Sequence, residues 1–299
     1  MPSLLRLFVL VGFPVIIAAC GGGDSSQTPP PPALKVVAAG DIADCTGVAP
    51  SASAAAGTAA LVAADDTLVL TLGDTTYPVG APEEFATCYH PTWGSLKART
   101  RPVPGNHDYM TAGADGYFGY FGTLAGPDRR GWYSFDAGGW HFIALDSNVD
   151  ADAASAQAQW LAGDLAATRD ALCTLAYWHH PVFSSGPHGD NAKMAGIFAM
   201  LHAAGVDVVL SGHDHDYERF APQDAHGARD EARGVRAFVV GTGGATLYPL
   251  LLPRPNSEAR YAADHGVLRL QLDADGYRWD FVRAGGGQTI DSGSARCHR

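Results

Sequence analysis

Asn106-His107-Asp108 sets an amide, an imidazole and a carboxylate side by side, directly after Gly105 and the short stretch Arg101-Pro-Val-Pro. A turn accounts for Gly105 and Asn106, which both tolerate positive φ, but it requires neither the histidine nor the aspartate. The same punctuation recurs at Gly40-Asp41, at Gly73-Asp74 with Tyr77 three positions on, at His179-His180-Pro181, and at Gly212-His213-Asp214-His215. Asp41, Asp74, Tyr77, Asn106, His179, His213 and His215 together offer carboxylate, phenol and amide oxygens with imidazole nitrogens. Such a mixed set suits first-row transition metals rather than calcium, which takes oxygen alone. There are enough donors for two ions if one carboxylate bridges them. His213 and His215 are two apart on a strand exit, so a local bend is needed for both to face one site, and Gly212 permits it.

The elements that must deliver these residues alternate between strand and helix. Leu34 to Ala39 reads as a buried strand ending at Gly40-Asp41, and Thr67 to Leu72 as a second ending at Gly73-Asp74, with an Ala-rich helix from Ser51 to Ala64 between them. Pro82-Glu83-Glu84 opens a further helical stretch towards Leu96, followed by the short strand Arg101 to Val103. Gly113 to Gly126 reads as a long surface loop that walls a cleft, or equally as aromatic packing over the core through Tyr117, Phe118, Tyr120 and Phe121. Trp132 to Phe135 and Trp140 to Leu145 read as a hairpin across Gly138-Gly139, and Ala153 to Ala167 as a helix. Leu172 to Trp178 and Val206 to Leu210 are strands ending at the histidine clusters, with a helix from Asn191 to Ala204 between them. The last third reads as strands at Ala237 to Val240, Gly266 to Leu272 and Tyr277 to Val282. Gly241-Thr-Gly-Gly lacks the Lys-Ser/Thr of a phosphate-binding loop and reads as a tight strand exit. Polar residues thus gather at the carboxyl ends of strands, the edge where open α/β sheets bind ligands.

Composition narrows the function. Among 299 residues, 31 Asp and Glu outnumber 20 Lys and Arg, for a formal charge of -11. With no basic stripe, nucleic acid is excluded as a partner held through its phosphates. The first twenty residues have Arg6 ahead of an apolar run and end Ile17-Ala18-Ala19-Cys20. That is a secretory signal rather than a spanning helix, and its end resembles the lipobox of bacterial lipoproteins, which implies a lipid anchor at Cys20. The expected organisation is a lipoprotein signal peptide over 1-20, a Gly/Ser/Pro-rich tether over 21-33 and a catalytic domain over 34-299, exported to a bacterial cell envelope and facing the periplasm or the cell surface. Cys45, Cys88, Cys173 and Cys297 remain, an even number without a C-x-x-C pair, which suits disulfides over a cysteine-rich zinc site. Cys45 with Cys88 is the pairing expected, since both follow the metal-bearing turns of neighbouring strands, and Cys173 with Cys297 would tie down the tail; buried free thiols are the alternative.

Taken together, Gly40-Asp41, Gly73-Asp74-Thr-Thr-Tyr77, Gly105-Asn106-His107-Asp108, His179-His180-Pro181 and Gly212-His213-Asp-His215 resemble the five ordered motifs of the calcineurin-like metallophosphoesterases. The likeness runs from Leu34 to about Phe220. Most of that superfamily has Asp-x-His in the first motif, whereas Ala43 stands here and Tyr77 supplies the missing donor, as in the purple acid phosphatases. The resemblance implies an α/β fold, a four-layer α-β-β-α sandwich with two central mixed sheets. It also implies two ions, one held by Asp41, Tyr77, His215 and a bridging Asp74, the other by Asp74, Asn106, His179 and His213. A phenolate at the first position favours Fe(III), because a free phenol ionises only near about pH 10; the second ion would be Zn(II), Mn(II) or Fe(II). Hydrolysis of small phosphomonoesters by a metal-activated hydroxide is the implied reaction, with His107 and then His188 as the catalytic residues that contact phosphate and assist the leaving group. A phosphodiesterase built on the same centre, or a catalytically lapsed metal-binding surface lipoprotein, are the alternatives. Two departures bear on substrate preference: only a tether precedes Leu34 where plant purple acid phosphatases carry a sandwich domain, and Asp108 stands where plant members usually have Glu.

Overall fold

Along β1 (Leu34–Ala39), Val36 and Ala38 turn into one apolar cluster while Val37 and Ala39 turn into another. A strand with both faces apolar must lie between two layers, and this alternation is repeated across the molecule. The computed structural model describes residues 2–3, 33–62 and 67–298. The chain divides into two units, Met1–Pro30 and Pro31–Arg299. Apart from Pro2 and Ser3, the expected signal peptide, with Cys20, and the tether before Ala33 lie outside the described residues.

β1 pairs in parallel with β2 (Leu68–Leu72), which pairs in parallel with β3 (Thr100–Val103). The other side of β1 is extended antiparallel by β11 (Gly266–Asp273), β12 (Gly276–Arg283) and β13 (Thr289–Arg296), making a six-stranded mixed sheet. The second sheet holds β4 (Tyr133–Ala137), β5 (Trp140–Ala144), β6 (Cys173–Tyr177), β7 (Val208–Ser211), β8 (Tyr217–Phe220), β9 (Arg236–Val240) and β10 (Ser257–Tyr261) in the order β10-β8-β9-β7-β6-β5-β4. Its centre, β5, β6, β7 and β9, is parallel. Val36, Leu70 and Leu268 from the first sheet meet Phe142, Leu175 and Leu210 from the second in the apolar layer between them. Full burial of each such side chain contributes about 1.5–3 kcal/mol, so this layer is the main cohesion between the sheets.

Helices cover the two outer faces, giving the four layers expected. On the first sheet lie α1 (Ala54–Ala59), the helical segment made by α2 (Pro82–Glu84), a π turn (Phe85–Tyr89) and α3 (His90–Thr92), and α4 (Asp115–Phe121), packed through Phe85, Tyr89, Trp93 and Phe121. On the second lie α5 (Ala156–Ala167) and α6 (Ala195–Ala204), packed through Leu161, Ile197, Phe198 and Leu201. Two expectations need correction. The helix read over Ser51 to Ala64 is shorter: Pro50 opens a separate turn, and Ser53 caps α1 by accepting from the Ala56 N–H. Of the two readings of Gly113 to Gly126, the surface loop fails and the aromatic packing over the core holds, because Tyr117, Phe118 and Phe121 share the buried face of α4.

Cys45 bonds to Cys88 and Cys173 to Cys297, the expected pairing. The first bond fixes the turn after β1 to the π turn; the second fastens the chain end to the start of β6. The double variant Cys173→Ala/Cys297→Ala is expected to lose about 2–5 kcal/mol of unfolding free energy, read from denaturant melts, because its long loop is then open in the unfolded chain. A midpoint matching that of the parent protein would contradict this.

Candidate metal centre

Each polar cluster leaves the carboxyl end of a parallel strand. Asp41 follows β1, Asp74 and Tyr77 follow β2, and Asn106 follows β3; from the other sheet, His179 follows β6 and His213 and His215 follow β7. The two sheets are stitched together at this edge. The Gly40 N–H donates to the Val240 carbonyl at 2.9 Å, Gly243 N–H to the Gly40 carbonyl at 2.9 Å, and Ala245 N–H to the Asp41 carbonyl at 2.9 Å. The approach is so close that a Cβ at Gly243 would lie 2.4 Å from the Gly40 carbonyl oxygen, which is why the Gly241-Thr-Gly-Gly run stands at this exit. At Gly105 a Cβ would come within 2.1 Å of Asp74 Oδ1, so glycine is required beneath the Asn106 turn.

The structure brings all seven sequence-predicted donors together, in two groups that share one atom. The Tyr77 hydroxyl lies 3.1 Å from Asp41 Oδ1, 3.2 Å from Asp74 Oδ2 and 3.2 Å from His215 Nε2, and His215 Nε2 is 3.3 Å from Asp41 Oδ1. In the other group His179 Nε2 lies 3.3 Å from Asp74 Oδ2, 3.1 Å from Asn106 Oδ1 and 3.2 Å from His213 Nδ1. Asp74 Oδ2 belongs to both. Asp41, Asp74, Tyr77, His179 and His215 are buried, whereas Asn106, His107 and His213 are partly exposed, so the centre opens on their side.

These contacts do not balance as hydrogen bonds. The Tyr77 hydroxyl carries one proton yet faces three acceptor-capable atoms. The spacings are those of donors around a cation, since bonds of about 2.0–2.2 Å set neighbouring ligands roughly 3.0–3.4 Å apart. The atoms behind the centre have partners that leave the front atoms available. His179 Nδ1 donates to the Leu72 carbonyl at 2.8 Å and His215 Nδ1 to the Thr246 carbonyl at 2.7 Å, which turns each Nε2 inward. Asp41 Oδ2 accepts from the His213 N–H at 2.9 Å, and Asp74 Oδ1 from the His107 N–H at 2.7 Å. Asp108 accepts from Gly105 N–H at 2.8 Å and closes the turn that carries Asn106. Asp41, Asp74 and His213 have φ of 58°, 47° and 71°. Left-handed backbone outside glycine costs on the order of 1–3 kcal/mol each and clusters where side chains must be aimed. The left-handed bend that the His213-x-His215 spacing requires is therefore at His213 itself and not at Gly212, which was expected to permit it.

Protein charge alone works against a phenolate. Burial, and then the carboxylates of Asp41 and Asp74, hold Tyr77 well above the usual phenol range. Burial pushes Asp74 up, but the charge of His179 and its hydrogen bond, with His107 adding to them, hold it below the usual carboxylate range. His179 is raised to about 9, because Asp74 outweighs the effect of burial. His213 is pushed far down by burial and by His179 next to it, so its imidazole is neutral and able to act as a ligand. A cation would replace the His179 proton and reverse the penalty on Tyr77, so the donor set fits a bound metal. Asp41, Asp74 and His179 offer three atoms mutually within 4.8 Å, as do His179, His180 and His213. Cys173, Asp207 and Cys297 do so too, but their sulfurs are joined to each other and are not free to bind an ion.

The two expected catalytic histidines stand at the open side. His107 Nδ1 donates to the Pro78 carbonyl at 2.6 Å, and its Nε2 lies 3.9 Å from Asp74 Oδ2. The exposed His188 stacks on His213 with centroids 4.3 Å apart, and its N–H donates to Asp214 Oδ1 at 2.9 Å. Other residues around the centre are absent from the sequence reading. Tyr248 stacks on His215 at 4.0 Å from a stretch without helix or strand, and no spacing announces it. His180, named above only as part of its motif, packs 4.3 Å from His213 and is held through Nδ1 by Ser147 Oγ at 2.8 Å. Asn148 Nδ2 donates to the Pro104 carbonyl at 3.1 Å, while Asp146 Oδ2 accepts from the Tyr109 hydroxyl at 2.6 Å. Asp146-Ser147-Asn148 follows β5 by the same rule as the other clusters, an apolar run ending in polar residues, and was legible on that signal.

The calcineurin-like phosphoesterase family model matches residues 34–217. Purple acid phosphatase 22 of Arabidopsis thaliana is 26% identical over 228 residues, covering 67% of this chain and 52% of that protein. Human acid phosphatase type 7 is 27% identical over 247 residues, covering 68% and 54%. The chain thus spans about half the length of these relatives. A purple acid phosphatase from yellow lupin seeds, PPD1, superposes with a TM-score of 0.68 over 88% of this chain and 54% of its own, at 20% identity, a likeness of fold. With well over half of its residues matched, the chain belongs to the calcineurin-like phosphoesterase family, on its purple acid phosphatase-like branch.

Proposed function

We propose that the protein is a dinuclear metal-dependent phosphomonoester hydrolase, exported and held at the bacterial cell envelope by a lipid on Cys20. The observation that supports it best is the position of Asp74 Oδ2, which stands in both donor groups. In this reading Asp41, Tyr77, His215 and Asp74 hold one ion, Fe(III) by the character of the phenol. Asp74, Asn106, His179 and His213 hold the second, a Zn(II), Mn(II) or Fe(II) ion. When bound, the two ions acidify water at neutral or acidic pH and neutralise phosphoryl oxygens during in-line attack.

The remaining work belongs to side chains. Buried Asp41, Asp74 and His179 form the dry floor, and low local dielectric strengthens their attraction for cations. His107, anchored through Nδ1, presents Nε2 to the open side, where it contacts a phosphoryl oxygen and passes a proton to the departing alkoxide. His188, above His213, is placed to share that task. A small phosphorylated substrate enters where Asn106 and His213 are partly exposed. No helix among the described residues is long and apolar enough to cross a membrane.

Metal-analysed protein is expected to hydrolyse a nitrophenyl phosphomonoester faster than the bis-nitrophenyl diester. His107→Ala should lower turnover about 10²- to 10⁴-fold while retaining two equivalents of metal; loss of the metal instead would make His107 structural. Tyr77→Phe is expected to abolish the visible charge-transfer absorption of the iron form, and an unchanged purple band would refute the phenolate assignment. Cys20→Ser is expected to move the protein from the membrane to the soluble fraction, and its continued sedimentation with membranes would count against lipidation.

A further inference from the structure

Beside the centre lies a groove of about 630 Å³, lined on one side by Ser185, Pro187 and Gly189 and on the other by Leu251, Leu252 and Arg254. Its size is that of a small-molecule site. The loop that carries His188 stands between it and His213. Pro187 and Gly189, which flank His188, face the groove, while the His188 ring stacks 4.3 Å from His213 on the other side. The loop is pinned from beneath by Asp214, which lies between His213 and His215, is fully buried, and accepts from the His188 N–H and the Ser184 hydroxyl. Opposite, Leu251 N–H donates to the Ser185 carbonyl at 3.1 Å and Arg254 N–H to Ser185 Oγ at 2.8 Å, so both walls are tied to one residue.

The chemistry of the walls limits what fits. Leu251 and Leu252 are 58% and 87% exposed, with apolar side chains that meet nothing able to bury them. Exposed apolar side chains gathered at one place mark a binding surface, whereas isolated ones do not. The groove offers no free positive charge, because the Arg254 guanidinium pairs with both carboxylate oxygens of Asp190. A second phosphate or a carboxylate on the substrate would meet an arginine whose charge Asp190 already balances.

We propose that this groove is the leaving-group subsite and that it receives an uncharged, apolar organic group, so the favoured substrates are phosphomonoesters of apolar alcohols rather than nucleotides or sugar phosphates. This rests on the hydrolytic reading above for the phosphate end alone. The test is calorimetric binding of two non-hydrolysable probes, hexylphosphonate and methylphosphonate, to the metal-loaded full chain. The hexyl probe is expected to bind about tenfold more tightly, the order given by a partly open groove that covers some of the added methylenes. The variant Leu251→Ser/Leu252→Ser, altered only at exposed positions, is expected to bring the ratio of the two dissociation constants close to one. Equal binding by the parent protein, or a preference that survives the double substitution, would overturn the subsite. Retained preference without release of phosphate from hexyl phosphate would instead strike the hydrolytic reading and leave the subsite standing.

Discussion

One carboxylate oxygen, Asp74 Oδ2, lies 3.2 Å from the Tyr77 hydroxyl and 3.3 Å from His179 Nε2, and so joins side chains from two different sheets. That arrangement cannot arise within either sheet alone. It needs β2 and β6 to end at the same level, which the apolar layer between the sheets and the Gly40 to Val240 hydrogen bond jointly impose. The cost is concentrated in the turns, where Asp41, Asp74 and His213 adopt left-handed backbone and glycines give way to neighbouring side chains. Cohesion in the hydrophobic interior therefore holds strained, charged turns where unaided electrostatics would not place them.

Electrostatics then explain why the centre favours cations. Asp41 and Asp74 are buried with Tyr77, whose ionisation they oppose, and His179 takes up a proton to compensate Asp74. Buried anions with so little compensation are costly, and a pair of cations is the economical remedy in the proposed centre. The hydrogen bonds behind the centre agree with this arrangement. The Leu72 and Thr246 carbonyls can only accept, so they fix the inward nitrogen of His179 and of His215 before any ion arrives. Preorganisation of this kind belongs to a site built for a ligand.

Much of this was legible in the residues, for a physical reason. Strands buried on both faces read as unbroken apolar runs, so Asp41, Asp74, Asn106, His179 and His213 stood out as polar residues at their ends. β8, β10 and β13 were not legible. β13, Thr289 to Arg296, is an edge strand with polar residues on both faces, and β10 is another edge strand with a similar mixture, so neither has the apolar signal of the central strands. For Tyr117, Phe118 and Phe121 the residues left a surface loop and aromatic packing over the core equally open, and burial on α4 decides for the packing. Tyr248 and the groove beyond it depend on how a stretch without regular structure folds back, and periodicity carries no record of that. Asp214 was visible between two histidines, but its role beneath the His188 loop is a matter of contacts alone.

The central claim is that Asp74 binds two ions at once. Anomalous diffraction from crystals of the metal-loaded protein, collected at the absorption edges of the metals found by elemental analysis, tests it most directly. The account predicts two peaks about 3.5–4 Å apart, both within bonding distance of Asp74, one beside Tyr77 and the other beside Asn106. A single peak, or two peaks of which only one lies against Asp74, would contradict it.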